Sequence, residues 1–209
     1  MVRRKSVEIL AAGVVLFVSA SPVIAELRFD DGGIHNIDYA IIDYFVVVDN
    51  DVSNKPTTMN VLEEAHINLL DSRGDSIINV FAGSMIGEYL SLDNSEGNIY
   101  GGSVFLLGAT DSSQINVFGI GTVDDLYAES DGTVTIHGSD FAVDGAPVGY
   151  VELTGSLSGQ LTGTLHNGDP LNTGFYIFGN GKIVLVPEPA TVLLLGLGGL
   201  GLLRRRSQA

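Results

Sequence analysis

Residues 77–118 read IINVFAGSMIGEYLSLDNSEGNIYGGSVFLLGATDSSQINVF, and one short pattern occurs three times in this stretch. Each occurrence joins an Asn, a β-branched residue and an aromatic residue, and a related triplet lies on either side. The five triplets are Asn60-Val61-Leu62, Asn79-Val80-Phe81, Asn98-Ile99-Tyr100, Asn116-Val117-Phe118 and Thr135-Ile136-His137. They recur at steps of 19, 19, 18 and 19 residues, which indicates a repeat architecture.

Most triplets are followed by a second apolar stretch and then by a polar corner rich in Asp, Asn, Ser and Gly. One such unit cannot bury its own apolar face, whereas stacked units pair their strands in parallel and close a continuous core. The repeat therefore predicts an all-β fold, a short single-stranded β-solenoid (β-helix) with coils of 18–19 residues over residues 59–145. The six-residue step of a left-handed hexapeptide helix fails, because Arg73, Asp111 and Glu129 fall on its apolar positions.

The segments on either side of the repeats are predicted to be β caps. Residues 26–58 form an N-terminal cap with one or two strands that lead into the first coil. Residues 146–186 form a C-terminal β cap, and the hairpin turn Asn167-Gly168 favours antiparallel or irregular structure there. Caps of this kind cover the exposed end strands of a solenoid.

Alternation along the first strand of each coil predicts which side chains face outward. If Val61, Val80 and Val117 point inward, the Asn and the aromatic residue of each triplet lie outside in two neighbouring columns. The candidate glycan-binding residues in these columns are Asn79, Asn98, Asn116, Phe81, Tyr100 and Phe118. Two interpretations stay open: amides and rings that stabilise the stack, or an aromatic strip flanked by amides that binds a polysaccharide.

The corners suggest a third column, made of the acids Asp71, Asp93, Asp111 and Asp131. Carboxylates stacked every ~4.8 Å would repel one another, and a divalent cation would relieve that repulsion. We therefore treat these four acids as weak calcium candidates and expect no other cofactor. Asp is also an ordinary turn former, so a purely structural reason for each corner acid remains open.

The charge of the central region limits the class of partner. Residues 26–186 contain four basic residues, Arg28, Lys55, Arg73 and Lys182, against 23 acidic residues, a net charge of −19. Binding to nucleic acid is excluded, because neutralising phosphates needs clustered Lys and Arg. Such acidity favours solubility, calcium binding or contact with neutral sugars. The chain has no Cys, so core packing and backbone pairing must hold the fold in an oxidising compartment.

Both ends of the chain read as targeting segments. Residues 1–25 combine Arg3-Arg4-Lys5, an apolar stretch and Val23-Ile24-Ala25, the pattern of a secretory signal peptide cleaved after Ala25. Residues 187–209 contain Pro187-Glu188-Pro189, an apolar helix over 190–203 and the cluster Arg204-Arg205-Arg206. These 14 apolar residues span only about 21 Å against a hydrocarbon core of ~30 Å, so the predicted membrane helix suits transient retention.

This tail resembles the PEP-CTERM sorting signal of Gram-negative bacteria. The resemblance implies export through the inner membrane, transient anchoring there, processing by an exosortase and delivery to the cell surface or exterior, often with exopolysaccharide. The sequence of the central region is also similar to a group of PEP-CTERM proteins whose Asn-Ile-Tyr-Gly-Gly-Ser coils end in a Gly-Ser-Asp-Phe segment, here Gly138 to Phe141.

An enzyme is not expected from the remaining motifs. Polysaccharide lyases also use parallel β-helices, but they need acids beside a basic residue, and within the repeats only Arg73 is basic. The four His are scattered, without metal-ligand spacing. The expected function is therefore a structural or adhesive protein of the extracellular polysaccharide matrix. A carbohydrate-binding module that uses the aromatic column is the second hypothesis, and a polysaccharide lyase is the third.

Overall fold

The computed structural model describes residues 25–187, and every regular element within them is a β-strand. The all-β prediction is therefore confirmed. No helix that is long and apolar enough to cross a membrane is found in this part of the chain. The predicted signal helix and C-terminal membrane helix lie outside the described residues.

Seventeen strands follow one another along the chain. They are Ala25–Phe29 (β1), Ile34–Ile37 (β2), Ala40–Val48 (β3), Thr58–Val61 (β4), His66–Ser72 (β5), Ile77–Val80 (β6), Met85–Ser91 (β7), Glu96–Ile99 (β8), Ser103–Ala109 (β9), Gln114–Val117 (β10), Thr122–Ala128 (β11), Thr133–Val143 (β12), Ala146–Pro147 (β13), Glu152–Thr154 (β14), Leu157–Leu165 (β15), Pro170–Ile177 (β16) and Lys182–Pro187 (β17).

The strands form two parallel ladders, and each coil of the chain contributes one strand to each ladder. The first ladder runs β1-β3-β5-β7-β9-β11-β16. The second runs β2-β4-β6-β8-β10-β12-β17. The predicted triplets lie in register, since Asn60 pairs with Asn79, Asn79 with Asn98, and Asn98 with Asn116. This arrangement is a β-solenoid.

The stack is longer at its N-terminal end than the repeat indicates. Residues 25–48 are not a separate cap, because β1, β2 and β3 pair in parallel with the following coils. Asn36 matches Asn60 at a step of 24 residues, since the corner over residues 49–57 is longer than the later corners. A search at steps of 18–19 residues therefore misses this coil.

The C-terminal region holds one more coil and a true cap. Strands β16 and β17 stack in parallel on β11 and β12, at a step of 49 residues. Between them the chain makes an excursion in which β14 pairs antiparallel with β17 and β15 pairs antiparallel with β16 and β12. The antiparallel prediction thus holds for β14 and β15 and is wrong for β16 and β17. Strand β15 also joins the two ladders into one nearly closed hydrogen-bonded sheet.

The core lies between the two ladders and is built from columns of aliphatic side chains. The predicted inward residues are all fully or almost fully buried: Met59, Val61, Ile78, Val80, Ile115, Val117, Val134 and Ile136. The second ladder strand adds Ile67, Ile86, Val104 and Leu70 to the same cluster. The period-two pattern of the short strands therefore determines the buried face, as predicted.

Buried serines at one corner connect successive coils. Ser76, Ser95 and Ser113 each accept a hydrogen bond from the backbone N–H three residues earlier, at 3.1 Å. Each hydroxyl also donates to a carbonyl of the preceding coil: to Val48 and Ser72 at 3.1 Å, and to Ser91 at 2.7 Å. One side chain thus forms the turn and joins it to its neighbour. The notebook of turn formers in the sequence does not separate these serines from the exposed ones.

The middle of this corner is extended by a buried hydroxyl network. Ser95 lies 2.7 Å from the Ser91 hydroxyl and 3.0 Å from the Ser72 hydroxyl, and Tyr89 lies 3.1 Å from Ser72. Tyr89 is fully buried, and its burial raises the pKa of the phenol well above its ordinary value. The network therefore stays neutral and satisfies the polar groups that the core encloses.

Replacing Ser95 tests the importance of this corner. In Ser95→Ala the buried Leu92 N–H and Ser72 carbonyl lose their side-chain partner, so we expect unfolding to become easier by about 1–3 kcal/mol. Chemical denaturation of the purified protein measures the change. Ser112→Ala, at an exposed position of the next corner, is the matched control and should shift stability by less than about 0.5 kcal/mol. Equal effects of the two substitutions would contradict the assigned role.

Candidate functional site

The first predicted outer column is a ladder of side-chain amides. Each Asn donates from Nδ2 to Oδ1 of the Asn in the preceding coil, at 2.8, 2.9, 3.3 and 3.1 Å. The members are Asn36, Asn60, Asn79, Asn98 and Asn116. Asn36 is the member that sequence spacing misses. The amides are engaged with one another, so each retains only one free N–H for another partner.

The second outer column is a stack of rings. Phe81, Tyr100, Phe118 and His137 follow one another with centroid distances of 5.5, 5.3 and 4.3 Å and interplanar angles of 22°, 7° and 17°. Phe81 is 36% and Tyr100 is 46% exposed. Because stacked rings cover each other's faces, the column presents mainly ring edges to solvent. The geometry therefore favours the interpretation in which amides and rings stabilise the stack.

The ring stack ends beneath a turn of the C-terminal excursion. The His166 N–H donates to the carbonyl of His137 at 2.9 Å, and the Asn167 N–H donates to that of Phe118 at 3.3 Å. Nδ1 of His137 is buried and has no hydrogen-bond partner within residues 25–187. Burial lowers the pKa of His137, and the neighbouring His166 lowers it further. The neutral imidazole is thus the form that fits the stack.

The predicted single column of four corner acids is wrong in its register. Asp93 and Asp111 do occupy equivalent corner positions, with φ of 57° and 56°. Asp71 instead lies within β5, and Asp131 lies one residue beyond the equivalent corner position, which is Ser130 with φ of 58°. Asp tolerates this left-handed conformation better than most residues, which gives Asp93 and Asp111 a structural reason to be there.

Asp71 is paired with the one basic residue of the repeats. Its Oδ2 lies 2.7 Å from a guanidinium nitrogen of Arg73, as a corner salt bridge requires. Burial raises the pKa of Asp71, and the Arg73 charge opposes that rise. Within residues 25–187 no group of three or more His, Asp or Glu side chains is arranged to hold a metal ion. Calcium binding by these acids stays an untested prediction.

A groove on the outside of the last coil was not predicted from the sequence. Three adjacent strands, β11, β16 and β15, bring Asp125, Gly174 and Gln160 into one row. Gly174 lacks a side chain, and a Cβ there would overlap with the Asp125 carboxylate. The row therefore forms the floor of a groove of about 520 Å³.

The walls of the groove carry hydrogen-bonding groups and one aromatic ring. Asn172 and Tyr176 lie two residues to either side of Gly174 along β16, and Asp124 completes the wall from β11. Nε2 of Gln160 donates to Oδ1 of Asn172 at 2.8 Å, which fixes the orientation of both amides. Tyr176 is 44% exposed. The lining contains no basic residue, so the groove can accept hydrogen bonds from a neutral, hydroxyl-rich ligand.

Sequence reasoning could not find the groove, because its residues come from two distant segments. Asp124 and Asp125 belong to the fifth repeat, whereas Gln160, Asn172 and Tyr176 belong to the region predicted as a cap. The step of 49 residues that brings them together has no counterpart in the repeat. Only the pairing of β16 with β11 places the two acids beside the amides.

Comparison with known proteins concerns the C-terminal tail. The model of the PEP-CTERM protein-sorting motif matches residues 185–207. The resemblance predicted from Pro187-Glu188-Pro189 and Arg204-Arg205-Arg206 is therefore confirmed. The chain is a PEP-CTERM protein: it is exported and carries a C-terminal signal that is sorted and processed by an exosortase, which is consistent with a secreted or cell-surface protein. No curated protein and no solved structure matches the chain.

Breaking the amide ladder in the middle should cost more than breaking it at its end. Asn79→Ala removes two ladder hydrogen bonds and Asn36→Ala removes one. At about 0.5–1.5 kcal/mol for each bond, the central substitution should destabilise the protein by roughly twice as much. Denaturant midpoints of the two variants measure the ratio. A larger loss in Asn36→Ala would show that the ladder is not a stabilising element.

The buried His137 predicts a pH dependence of stability. Its pKa in the fold lies below the ordinary value of 6.5, so below pH 6.5 the unfolded state binds more protons and stability falls until the folded-state pKa is reached. His137→Phe keeps a ring in the stack and removes the titration. We expect the melting temperature of the wild type to fall relative to that of the variant between pH 8 and pH 5. A constant difference between the two proteins would contradict this.

Proposed function

We propose that this protein is a non-enzymatic structural or adhesive component of the extracellular polysaccharide matrix of a Gram-negative bacterium. The sorting motif supports export and surface delivery. The continuous outer wall carries the argument: an amide ladder over five coils and a stack of four rings stiffen one face of the solenoid along its length. Stiffness along a stack of coils suits a protein that spans or spaces other matrix components.

Processing of the tail determines where the protein acts. Before cleavage, the apolar tail holds the chain transiently in the inner membrane, and exosortase processing then releases or transfers it to the surface. The acidic body, with a net charge of −19 over residues 26–186 (four basic and 23 acidic residues), is repelled by anionic lipid and by anionic polysaccharide. A neutral polysaccharide is therefore the partner that the charge favours.

Carbohydrate binding is the second candidate function, and the groove on the last coil supports it better than the ring stack does. In the stack, Tyr100 and Phe118 cover each other's faces at a centroid distance of 5.3 Å. In the groove, Tyr176 is close to carboxylate and amide groups that can accept and donate hydrogen bonds to sugar hydroxyls. A lyase is the third candidate. Such an enzyme needs a base beside a cationic group, and the groove lining offers acids alone.

Retention of the protein in gels that contain a soluble neutral polysaccharide tests these alternatives. Dextran, mannan and galactomannan are suitable, with alginate as the anionic comparison. A groove-binding module predicts that Tyr176→Ala and Asp125→Ala lose retention, while Tyr44→Ala, with the same 44% exposure on another coil, keeps it. Loss of retention in Tyr100→Ala/Phe118→Ala with unchanged circular dichroism would instead assign binding to the ring stack.

Two further results separate the remaining functions. Unsaturated oligosaccharide products from any of these polysaccharides would establish a lyase and overturn the non-enzymatic proposal. Absence of both retention and products leaves the structural role, which predicts that loss of the protein changes the mechanical stiffness of the matrix. An unchanged matrix after its deletion would contradict that role.

A further inference from the structure

The two ends of the solenoid are treated differently by the chain. At the C-terminal end, β14 pairs with β17 and β15 pairs with β16, so antiparallel strands cover both ladders. At the N-terminal end, β1 pairs with β3 and β2 pairs with β4, and no other strand of residues 25–187 pairs with either. Unpaired strand edges are ready to accept another strand. The described part of the chain thus has one covered end and one open end.

We infer that the open end binds the same end of a second copy, so that two solenoids join through antiparallel pairing of β1 with β1 and of β2 with β2. The covered end cannot accept β1, so the association is symmetric and closes at a dimer instead of growing into a filament. One two-fold axis that passes through the middle of both strands relates the two copies.

The sequence of β1 is complementary to itself in this arrangement. It reads Ala25-Glu26-Leu27-Arg28-Phe29, and antiparallel pairing centred on Leu27 places Glu26 of each copy opposite Arg28 of the other. Opposite charges at facing positions stabilise an antiparallel pair. Glu26 and Arg28 are exposed and already lie 2.8 Å apart on the same face of the strand. Cleavage after Ala25, as predicted, leaves all the charged residues of this strand in place.

Apolar side chains at the open end give the second observation. Leu27 and Phe29 pack against the end of the core and remain only partly buried. Ile34, at the start of β2, is 72% exposed, and Tyr39, Ile42 and Tyr44 are also exposed on the first coils. A second copy placed over β1 and β2 would extend the core across the dimer axis and bury Leu27 and Phe29.

The amide ladder ends at the same place. Asn36 accepts a hydrogen bond from Asn60 through Oδ1, and in the direction of the ladder its own Nδ2 points beyond the first coil. In pairing centred on β2, Asn36 of one copy lies opposite His35 of the other, so a polar side chain is available across the axis. The outer ladder therefore continues to the proposed interface instead of ending at an apolar surface.

Cysteine cross-linking tests the interface directly, because the chain has no Cys. Facing residues of an antiparallel pair have Cα atoms ~4.5–5.5 Å apart, within the range that a disulfide spans. We expect the exported full-length Leu27→Cys protein to form a disulfide-linked dimer on non-reducing gels. Ser158→Cys, an exposed residue of the capping strand β15, should remain monomeric. A monomeric Leu27→Cys protein, or equal dimer in both variants, would overturn the proposal.

Charge reversal in the Leu27→Cys background tests the register. Glu26→Arg places like charges opposite each other twice across the axis, and we expect dimer formation to fall roughly tenfold. Adding Arg28→Glu restores opposite charges and should recover most of the dimer, although Arg28 then loses its contact with Asp49. If the double variant dimerises no better than Glu26→Arg alone, antiparallel pairing centred on Leu27 is wrong.

Discussion

Parallel backbone pairing between successive coils is the constraint on which the rest of this structure depends. Each strand of 18–19-residue coils finds its partner one coil away, and the register repeats without slipping from β4 to β12. Because side chains alternate between the two faces of a strand, a slip by one residue would move every buried side chain outside. The buried aliphatic columns and the regular register therefore maintain each other.

In-register stacking also explains the outer surface. When identical residue types occur at the same position of each coil, their side chains meet at the spacing of the strands. Amides then form a hydrogen-bonded ladder, rings stack face to face, and corner serines join one turn to the next. The same repetition that suggests a binding surface thus engages its functional groups within the protein. The ring faces are consumed by neighbouring rings, and a ligand must look elsewhere.

The irregular steps of the stack create its individual features. A longer corner at the N-terminal end separates Asn36 from its equivalent Asn60 by 24 residues, and an excursion at the C-terminal end separates Asp125 from its partner Gly174 by 49. The excursion supplies the antiparallel strands that cover one end and, with β11 and β16, the walls of the groove. Gly174 makes that groove possible, since a side chain there would occupy its floor.

The sequence alone determined the all-β solenoid, the inward and outward faces of its short strands and the sorting tail, because each depends on a local pattern that repeats or stands by itself. The register-dependent features came from the tertiary structure: the coil that contains Asn36, the parallel stacking of β16 and β17, the buried role of Ser95, and the misplacement of Asp71 and Asp131 from the predicted acid column. Turn residues look alike in sequence, and a step of 24 or 49 residues leaves no periodic signal. Which of them meet is decided by how the backbone closes each coil.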